Sequence, residues 1–182
     1  DKYIPAFKNI GVQGLDKKIP SPTLGQCLSH TAGFARNNDL KAGKFTLNFD
    51  GDLESVTSEL ATKALLIEPG TKYAYSRLGY MTAGRIAEVV MNKSYPEIME
   101  DVLFDKIEAE ASTFDAESVA KKLAVPYERT KNGLKERTGQ GMGTAINPGG
   151  NLITNLDGVA RLFLLHRNQG LVNGKRVISK EA

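Results

Sequence analysis

A Pro-Gly turn followed by a helical pattern is the feature that most constrains the fold of this chain. Pro69 fixes its own φ angle and Gly70 permits a positive φ, so the pair predicts a tight turn. Tyr75 follows this turn and should lie near the start of a helix, because apolar residues then recur at helical spacing, at Leu78, Met81, Ile86, Val89 and Val90. The partial positive charge of a helix N-terminus favours the deprotonated form of a side chain, so a tyrosine held there is a candidate for proton transfer.

Further stretches carry the start and stop signals of helices. Thr23 is a predicted N-cap, and Ser94 precedes Pro96 and Glu97, which together predict a helix start with a capping box. The predicted helices cover residues 24–30, 52–66, 76–91 and 94–107, and a last one runs from residue 155 or 157 to about 170. Residues 3–19 are predicted to be extended or irregular, and residues 37–51 to form a surface loop.

Two Asn-Gly pairs predict small β-hairpins. Asn132-Gly133 lies between predicted strands at residues 125–130 and 134–137, and Asn173-Gly174 lies within residues 172–178. No repeat or low-complexity linker divides the chain, so residues 1–182 are predicted to form a single region. The predicted fold class is mainly α with small β-hairpins, an α+β arrangement.

Composition argues against several classes of function, and neither a metal nor a cofactor is predicted. The 24 basic and 21 acidic residues form no patch and Trp is absent, which argues against nucleic-acid binding. No apolar run approaches the roughly 20 residues that a membrane-spanning helix needs. Cys27, His30 and His166 have no workable metal-ligand spacing, and the apolar pattern around Cys27 predicts a core residue.

Four segments, in the same order, resemble the serine β-lactamase-related family of class C β-lactamases, penicillin-binding D-Ala-D-Ala carboxypeptidases and esterases. Residues 75–80 read Tyr-Ser-Arg-Leu-Gly-Tyr and are similar to the family's Tyr-Ser-Asn-x-Gly-Tyr. Residues 27–34 are similar to its Leu-Leu-Ser-His-Thr-Ser-Gly-Leu line, and residues 1–7 to the segment before that line. Residues 148–154 are similar to its Gly-Gly-Leu-x-Ser-Thr line, so the resemblance spans nearly the whole chain.

The resemblance implies a serine hydrolase that forms an acyl-enzyme with a small-molecule or peptide substrate. The substrate would be a β-lactam, a D-amino-acid peptide or an ester. Tyr75 would transfer protons, Arg77 would contact the substrate, and Gly149 and Gly150 would shape the nearby wall of the site. The resemblance also implies a periplasmic or extracellular location.

The family's nucleophile lies in a Ser-x-x-Lys motif upstream of the segment that residues 1–7 resemble. We therefore expect this chain to be the helical region of a β-lactamase-like or penicillin-binding-protein-like fold, with a second region, a sheet with flanking helices, supplied by flanking sequence. The isolated chain is then expected to be inactive. It is also expected to self-associate, because an apolar face would be exposed.

Two local matches imitate family motifs in the wrong context. Ser118-Val119-Ala120-Lys121 fits Ser-x-x-Lys, but it follows Tyr75 and lies in a charged stretch that opens no long apolar helix. Residues 137–139 read Arg-Thr-Gly and imitate the family's Lys-Thr-Gly, but they precede the Gly-Gly line that should come first. No Gly-x-Ser-x-Gly elbow is present, which argues against an ordinary α/β-hydrolase.

Two residues of the resembling segments leave alternatives open. Arg77 stands where the family has Asn, and it could attract a substrate carboxylate, mark the loss of acyl-transfer geometry, or point to solvent. The second possibility motivates an alternative function, a non-catalytic relative that binds a peptide, a cell-wall fragment or a protein partner. His30 follows Ser29, but we expect it to have a structural hydrogen-bonding role and not to act as the base of a serine triad.

Overall fold

The computed structural model describes residues 2–16, 18–36, 39, 47, 51–137 and 146–181. In these residues the chain is mainly helical with two small hairpins, which confirms the predicted fold class. The helices are α1 (Leu24–Leu28), α2 (Leu53–Ala61), α3 (Arg77–Met91), α4 (Tyr95–Met99) and α5 (Leu156–Arg167), with 3-10 turns at Pro5–Asn9 and Ala120–Lys122. The strands are β1 (Tyr127–Thr130), β2 (Gly133–Glu136), β3 (Leu171–Val172) and β4 (Lys175–Arg176). Most of the loop predicted at residues 37–51 lies outside the described residues.

The start of α1 follows the predicted N-cap, whereas its end comes earlier than predicted. Thr23 Oγ1 accepts a hydrogen bond from the Gln26 N–H at 3.2 Å, and the Gln26 side chain accepts one from the Thr23 N–H at 2.9 Å. The helix ends at Leu28 instead of near His30. His30 has a φ of 58°, a left-handed conformation that a right-handed helix cannot include.

The second helix is also shorter than the predicted range of residues 52–66. Asp52 caps α2 by accepting a hydrogen bond from the Ser55 N–H at 2.7 Å, and the helix ends at Ala61. Leu65 instead pairs with the N-terminal segment, because its N–H donates to the Gly11 carbonyl and its carbonyl accepts from the Gln13 N–H, both at 2.8 Å. This backbone pairing over a long sequence separation overrides the local helical pattern.

The central helix is α3, which packs against α1, α2 and α4. Ser76 caps it by accepting a hydrogen bond from the Leu78 N–H at 3.3 Å, and it ends before Asn92, which has a φ of 52°. Gly79 lies on the side that faces α1. A Cβ at this position would overlap the Cys27 carbonyl oxygen, so only glycine allows α1 and α3 to approach so closely.

The predicted helix at residues 94–107 is interrupted. Ser94 and Glu97 form the predicted capping box, but α4 ends at Met99 and a π turn covers Glu100–Phe104. The wider turn is closed by the Asp105 N–H, which donates to the Glu100 carbonyl at 3.1 Å. It places the ring of Phe104 in a stack on Phe114, with the ring centroids 6.2 Å apart, so the change of helix type accompanies aromatic packing.

Both predicted hairpins are present, one of them with a displaced turn. In the first hairpin Thr130 pairs with Gly133, so the loop is Lys131-Asn132 and not Asn132-Gly133. Of the Asn-Gly pair only Gly133 has a positive φ, 105°, which excludes the turn type that needs positive φ at both residues. In the second hairpin Asn173 and Gly174 form the loop as predicted, with φ values of 48° and 76°.

The main core lies between the N-terminal segment and the first three helices. Its buried side chains include Phe7, Ile10, Val12, Cys27, Phe34, Leu53, Val56, Leu60, Leu65, Leu78 and Met81. Cys27 is a core residue as predicted, and burial raises the pKa of its thiol to about 12. A smaller cluster of Ile107, Ala109 and Leu165 holds α5 against the chain after the π turn.

The described part of the chain has neither a membrane-spanning helix nor a cluster of metal ligands. Within the described ranges, no helix combines the length and the apolar character needed to cross a bilayer. The same residues contain no cluster of three or more His, Cys, Asp or Glu side chains with the geometry to hold a metal ion.

Candidate active site

The Pro-Gly turn is docked on the loop that follows α1. Gly70 has a φ of 82°, and its N–H donates to the Thr31 carbonyl at 2.8 Å. Four residues later, the Ala74 N–H donates to the His30 carbonyl, also at 2.8 Å. These two hydrogen bonds fix the path of the chain as it approaches Tyr75.

Tyr75 lies immediately before the N-cap of α3, the location predicted for it. Ser76 is the N-cap and is buried, whereas 48% of the surface of Tyr75 is exposed. The tyrosine therefore has a fixed backbone and a ring that is accessible to a substrate. It lies next to the N-terminal, positive end of the 15-residue helix α3.

His30 lies at the centre of a cluster of three tyrosine rings. Its ring centroid is 4.5 Å from that of Tyr75, 5.4 Å from that of Tyr80 and 5.8 Å from that of Tyr73. Its Nδ1 accepts a hydrogen bond from the Ser76 N–H at 3.4 Å, consistent with the expected hydrogen-bonding role. The residues next to His30 in sequence do not predict this cluster, although the tyrosines within residues 73–80 were a signal for it.

Arg77 is the first residue of α3 and is partly buried. Burial lowers the pKa of its guanidinium, and the nearby Tyr75 partly offsets this effect. The Nε atom in particular is shielded from solvent. Of the three possibilities left open for Arg77, a side chain that simply points to solvent fits this burial least well.

Gly149 and Gly150 belong to a turn that packs on α3. The side chain of Asn147 accepts a hydrogen bond from the Gly149 N–H at 3.1 Å, and its carbonyl accepts one from the Gly150 N–H at 3.0 Å. A Cβ on Gly149 would lie 3.0 Å from the Cβ of Tyr80. Gly149 thus reaches the His30 cluster through Tyr80, whereas Gly150 is one residue further away.

The structure does not support the Ser-x-x-Lys imitation as a nucleophile. Ser118 is exposed and its hydroxyl donates to the Asp115 carbonyl at 2.9 Å, while Lys121 lies in the short 3-10 turn Ala120–Lys122. No regular helix therefore brings the two side chains to one face. In the Arg-Thr-Gly imitation, residues 138 and 139 lie outside the described residues.

Comparison with known proteins gives the family. A profile of the family described as Beta-lactamase matches residues 1–182. Among curated relatives, penicillin-binding protein 4 of Amycolatopsis lactamdurans is 26% identical over 161 residues, which are 86% of this chain and 41% of the relative.

Solved structures with the same fold include EstCE1, described as a hydrolase with promiscuous acyltransferase activity, with a TM-score of 0.76 and 18% identity. The match covers 97% of this chain and 52% of EstCE1. An octameric penicillin-binding protein homologue from Pyrococcus abyssi has a TM-score of 0.71 and 22% identity, covering 100% of this chain and 41% of that structure. The chain thus spans about half or less of the length of these proteins, and it belongs to the Beta-lactamase family.

Proposed function

We propose that this chain supplies the helical part of a serine hydrolase that acts through an acyl-enzyme. The observation that carries the proposal is Tyr75, a half-exposed tyrosine at the N-terminus of α3 whose backbone is held from both sides by His30. Membership of the Beta-lactamase family supports the reaction class. The nucleophile would come from a Ser-x-x-Lys motif elsewhere in the polypeptide, as the sequence resemblance implies.

In this proposal Tyr75 first accepts a proton and then gives one up. As the serine oxygen attacks the substrate carbonyl, the Tyr75 oxygen accepts the serine proton, and it returns a proton to the leaving group when the acyl-enzyme forms. Water then attacks the acyl-enzyme by the same route and regenerates the serine. The substrate would be a β-lactam, a D-amino-acid peptide or an ester, with Gly149 and Gly150 along one wall and Arg77 beside any anionic group.

The test compares Tyr75→Phe with Tyr73→Phe in the complete polypeptide that contains this chain. Both tyrosines are exposed and contact the same histidine, so the second variant controls for loss of a hydroxyl near the site. Tyr75→Phe should lower kcat for a chromogenic ester or cephalosporin by about 100-fold or more. Equal rates for the two variants would contradict the proposal.

The alternative is a non-catalytic relative that binds a peptide, a cell-wall fragment or a partner protein. The replacement of the family's Asn by Arg77 favours it, because Arg offers only donors and a permanent charge. A fluorophosphonate probe distinguishes the two functions, since it labels an activated serine covalently. Labelling of the complete polypeptide supports the hydrolase, and absence of labelling supports the binder.

We also propose that a further region of the same polypeptide completes the site and packs on this chain. The first support is length, because this chain aligns with only 52% of EstCE1. The second is an apolar strip on α5, called the α5 strip, that consists of the exposed Leu156, Phe163 and Leu164 and the partly exposed Val159. The isolated chain should then be inactive. This expectation would be contradicted if the isolated chain hydrolysed a substrate and Ser118→Ala abolished that hydrolysis.

The similarity to penicillin-binding proteins supports a periplasmic or extracellular location.

A further inference from the structure

His30 contacts the backbone on both sides of Tyr75. The carbonyl oxygen of His30 accepts the Ala74 N–H at 2.8 Å, and its Nδ1 accepts the Ser76 N–H at 3.4 Å. The imidazole also packs on the Tyr75 ring, with the centroids 4.5 Å apart. A single residue, 46 positions away from Ser76, thus touches the residue before Tyr75, Tyr75 itself and the residue after it.

The Nδ1 contact satisfies a buried donor. Ser76 is only 3% exposed, so its N–H has little access to water and needs an acceptor within the protein. A neutral imidazole that accepts at Nδ1 carries its proton on Nε2, so the contact also assigns the tautomer of His30. Replacement of the acceptor would leave the Ser76 N–H without a partner at the start of α3.

The backbone of His30 is unusual in a way that fits this role. Its φ of 58° lies in the left-handed region, which non-glycine residues adopt rarely and at a cost. In this conformation the carbonyl and the side chain of His30 both reach the 74–76 segment. The ring orientation is supported by the flanking tyrosines, and the Tyr80 hydroxyl is tied to α1 through a hydrogen bond to the Leu28 carbonyl at 3.3 Å.

We propose that His30 is a positioning residue for Tyr75, and that its Nδ1 acceptor holds the start of α3 so that the Tyr75 hydroxyl stays in reach of the reacting atoms. His30 itself touches no reacting atom in this role. The proposal rests on the proposed function in one respect, because Tyr75 is taken as the proton-transfer residue. The contacts themselves do not depend on the reaction.

Three substitutions of His30 separate the effect of the Nδ1 acceptor from the effects of the ring and of the backbone conformation. His30→Asn keeps an acceptor near the position of Nδ1 and tolerates a positive φ, but it removes the ring. His30→Phe keeps a ring and removes the acceptor. His30→Gly tolerates the backbone conformation and removes both side-chain contacts. His166→Asn, on the exposed side of α5, is the control for loss of a histidine elsewhere.

The first measurement is steady-state kinetics of the complete polypeptide. His30→Phe and His30→Gly should lower kcat by about 10- to 100-fold with little change in KM, because misplacement of a reacting group slows the chemical step. His30→Asn should recover most of the lost kcat, and His166→Asn should equal the wild type. The proposal would be overturned if His30→Phe kept a higher kcat than His30→Asn, or if all variants had the same kcat.

The second measurement does not need activity. In fluorotyrosine-labelled protein, the Tyr75 fluorine resonance is assigned by its absence in Tyr75→Phe. It should broaden in His30→Phe and His30→Gly, because the tyrosine is no longer held in one position, and it should keep the wild-type line width in His30→Asn. An unchanged line width in His30→Phe and His30→Gly would refute the positioning role even in an active enzyme. If the wild type hydrolyses nothing but the line width changes as expected, the proposed function fails and the positioning role stands.

Discussion

At the scale of single residues, Arg77 departs from the family's pattern. The effect of its charge on substrate preference can be tested. Arg77→Asn should lower kcat/KM for a substrate with a carboxylate about 10- to 100-fold relative to a neutral ester of similar size. The reason is the loss of a charge-assisted hydrogen bond, which contributes about 1.5–3 kcal/mol. Arg77→Lys keeps the charge with fewer donors and should give an intermediate ratio.

The same experiment separates the two roles that burial leaves open for Arg77. If the arginine marks a loss of acyl-transfer geometry, then Arg77→Asn should raise the rates for both substrates together. A change of equal size and sign for the anionic and the neutral substrate would therefore contradict the carboxylate role. The ratio of the two specificity constants is the quantity to measure, because a general loss of folded protein cancels from it.

The placement of Tyr75 could be predicted from sequence, whereas its contact with His30 could not. A Pro-Gly turn and the helical pattern after it are local, so residues 68–91 alone were sufficient to put Tyr75 at the start of a helix. The bond between His30 Nδ1 and the Ser76 N–H joins residues 46 positions apart. Neither the left-handed backbone of His30 nor its tyrosine neighbours follow from the residues next to it.

At the scale of secondary-structure elements, the contact between α1 and α3 depends on Gly79. Gly79→Ala should lower the free energy of unfolding by about 1–3 kcal/mol, because the added Cβ would overlap the Cys27 carbonyl oxygen and the two helices would have to separate. Gly25→Ala is a matched control in α1, since a Cβ there would lie 3.9 Å from Thr23 Oγ1. That control should be neutral or stabilising by up to about 1 kcal/mol. Chemical unfolding measures the free energy of unfolding of both variants, and equal effects of the two substitutions would contradict the role of Gly79.

The cap of α2 gives a prediction that depends on pH. Hydrogen bonds from the Ser55 side chain and backbone lower the pKa of Asp52 below its ordinary value. A carboxyl with a lowered folded-state pKa stabilises the fold above its unfolded pKa of about 3.9 and loses this effect as the pH falls through the folded value. Asp52→Ala should therefore cost about 1 kcal/mol at neutral pH and progressively less below about pH 4.

Asp52→Asn is the control for this cap, because an amide oxygen also accepts the Ser55 N–H but does not titrate. Its stability relative to Asp52→Ala should not vary with pH in the acid range. Urea unfolding at neutral and acid pH provides the comparison. A difference between wild type and Asp52→Ala that stays constant across the two conditions would show that the charged carboxylate adds nothing to the cap.

Helix starts were predictable from sequence, but helix ends were less so, for a physical reason. Thr23, Asp52, Ser76 and Ser94 signal helix starts through side chains within three residues, so the information is local. The end of α2 depends on the pairing of Leu65 with the segment around Val12, and the π turn after α4 accompanies the packing of Phe104 on Phe114. Both are tertiary effects that a periodic pattern in one stretch of sequence does not contain.

At the scale of the whole molecule, the exposed α5 strip is the feature that the described fold leaves unexplained. Amphipathic helices of globular proteins bury one apolar face, and α5 does so through Leu165. It exposes a second apolar face, on which Leu156 is 85% exposed. The family relatives are about twice as long as this chain, which is why we assign this face to a further region of the polypeptide and expect the isolated chain to bury it against another copy.

Self-association of the isolated chain should therefore depend on Phe163. Phe163→Glu places a charge in the α5 strip and should raise the dimer dissociation constant by at least about 10-fold, because burial of one phenylalanine contributes about 1.5–3 kcal/mol. Leu134→Glu is the matched control, since Leu134 is 71% exposed and Phe163 is 70% exposed, but Leu134 lies on the β1–β2 hairpin outside the strip. Light scattering and binding of a hydrophobic dye measure the effect. A monomeric mass without dye binding for the wild type, or equal effects of the two variants, would mean that the α5 strip drives no association.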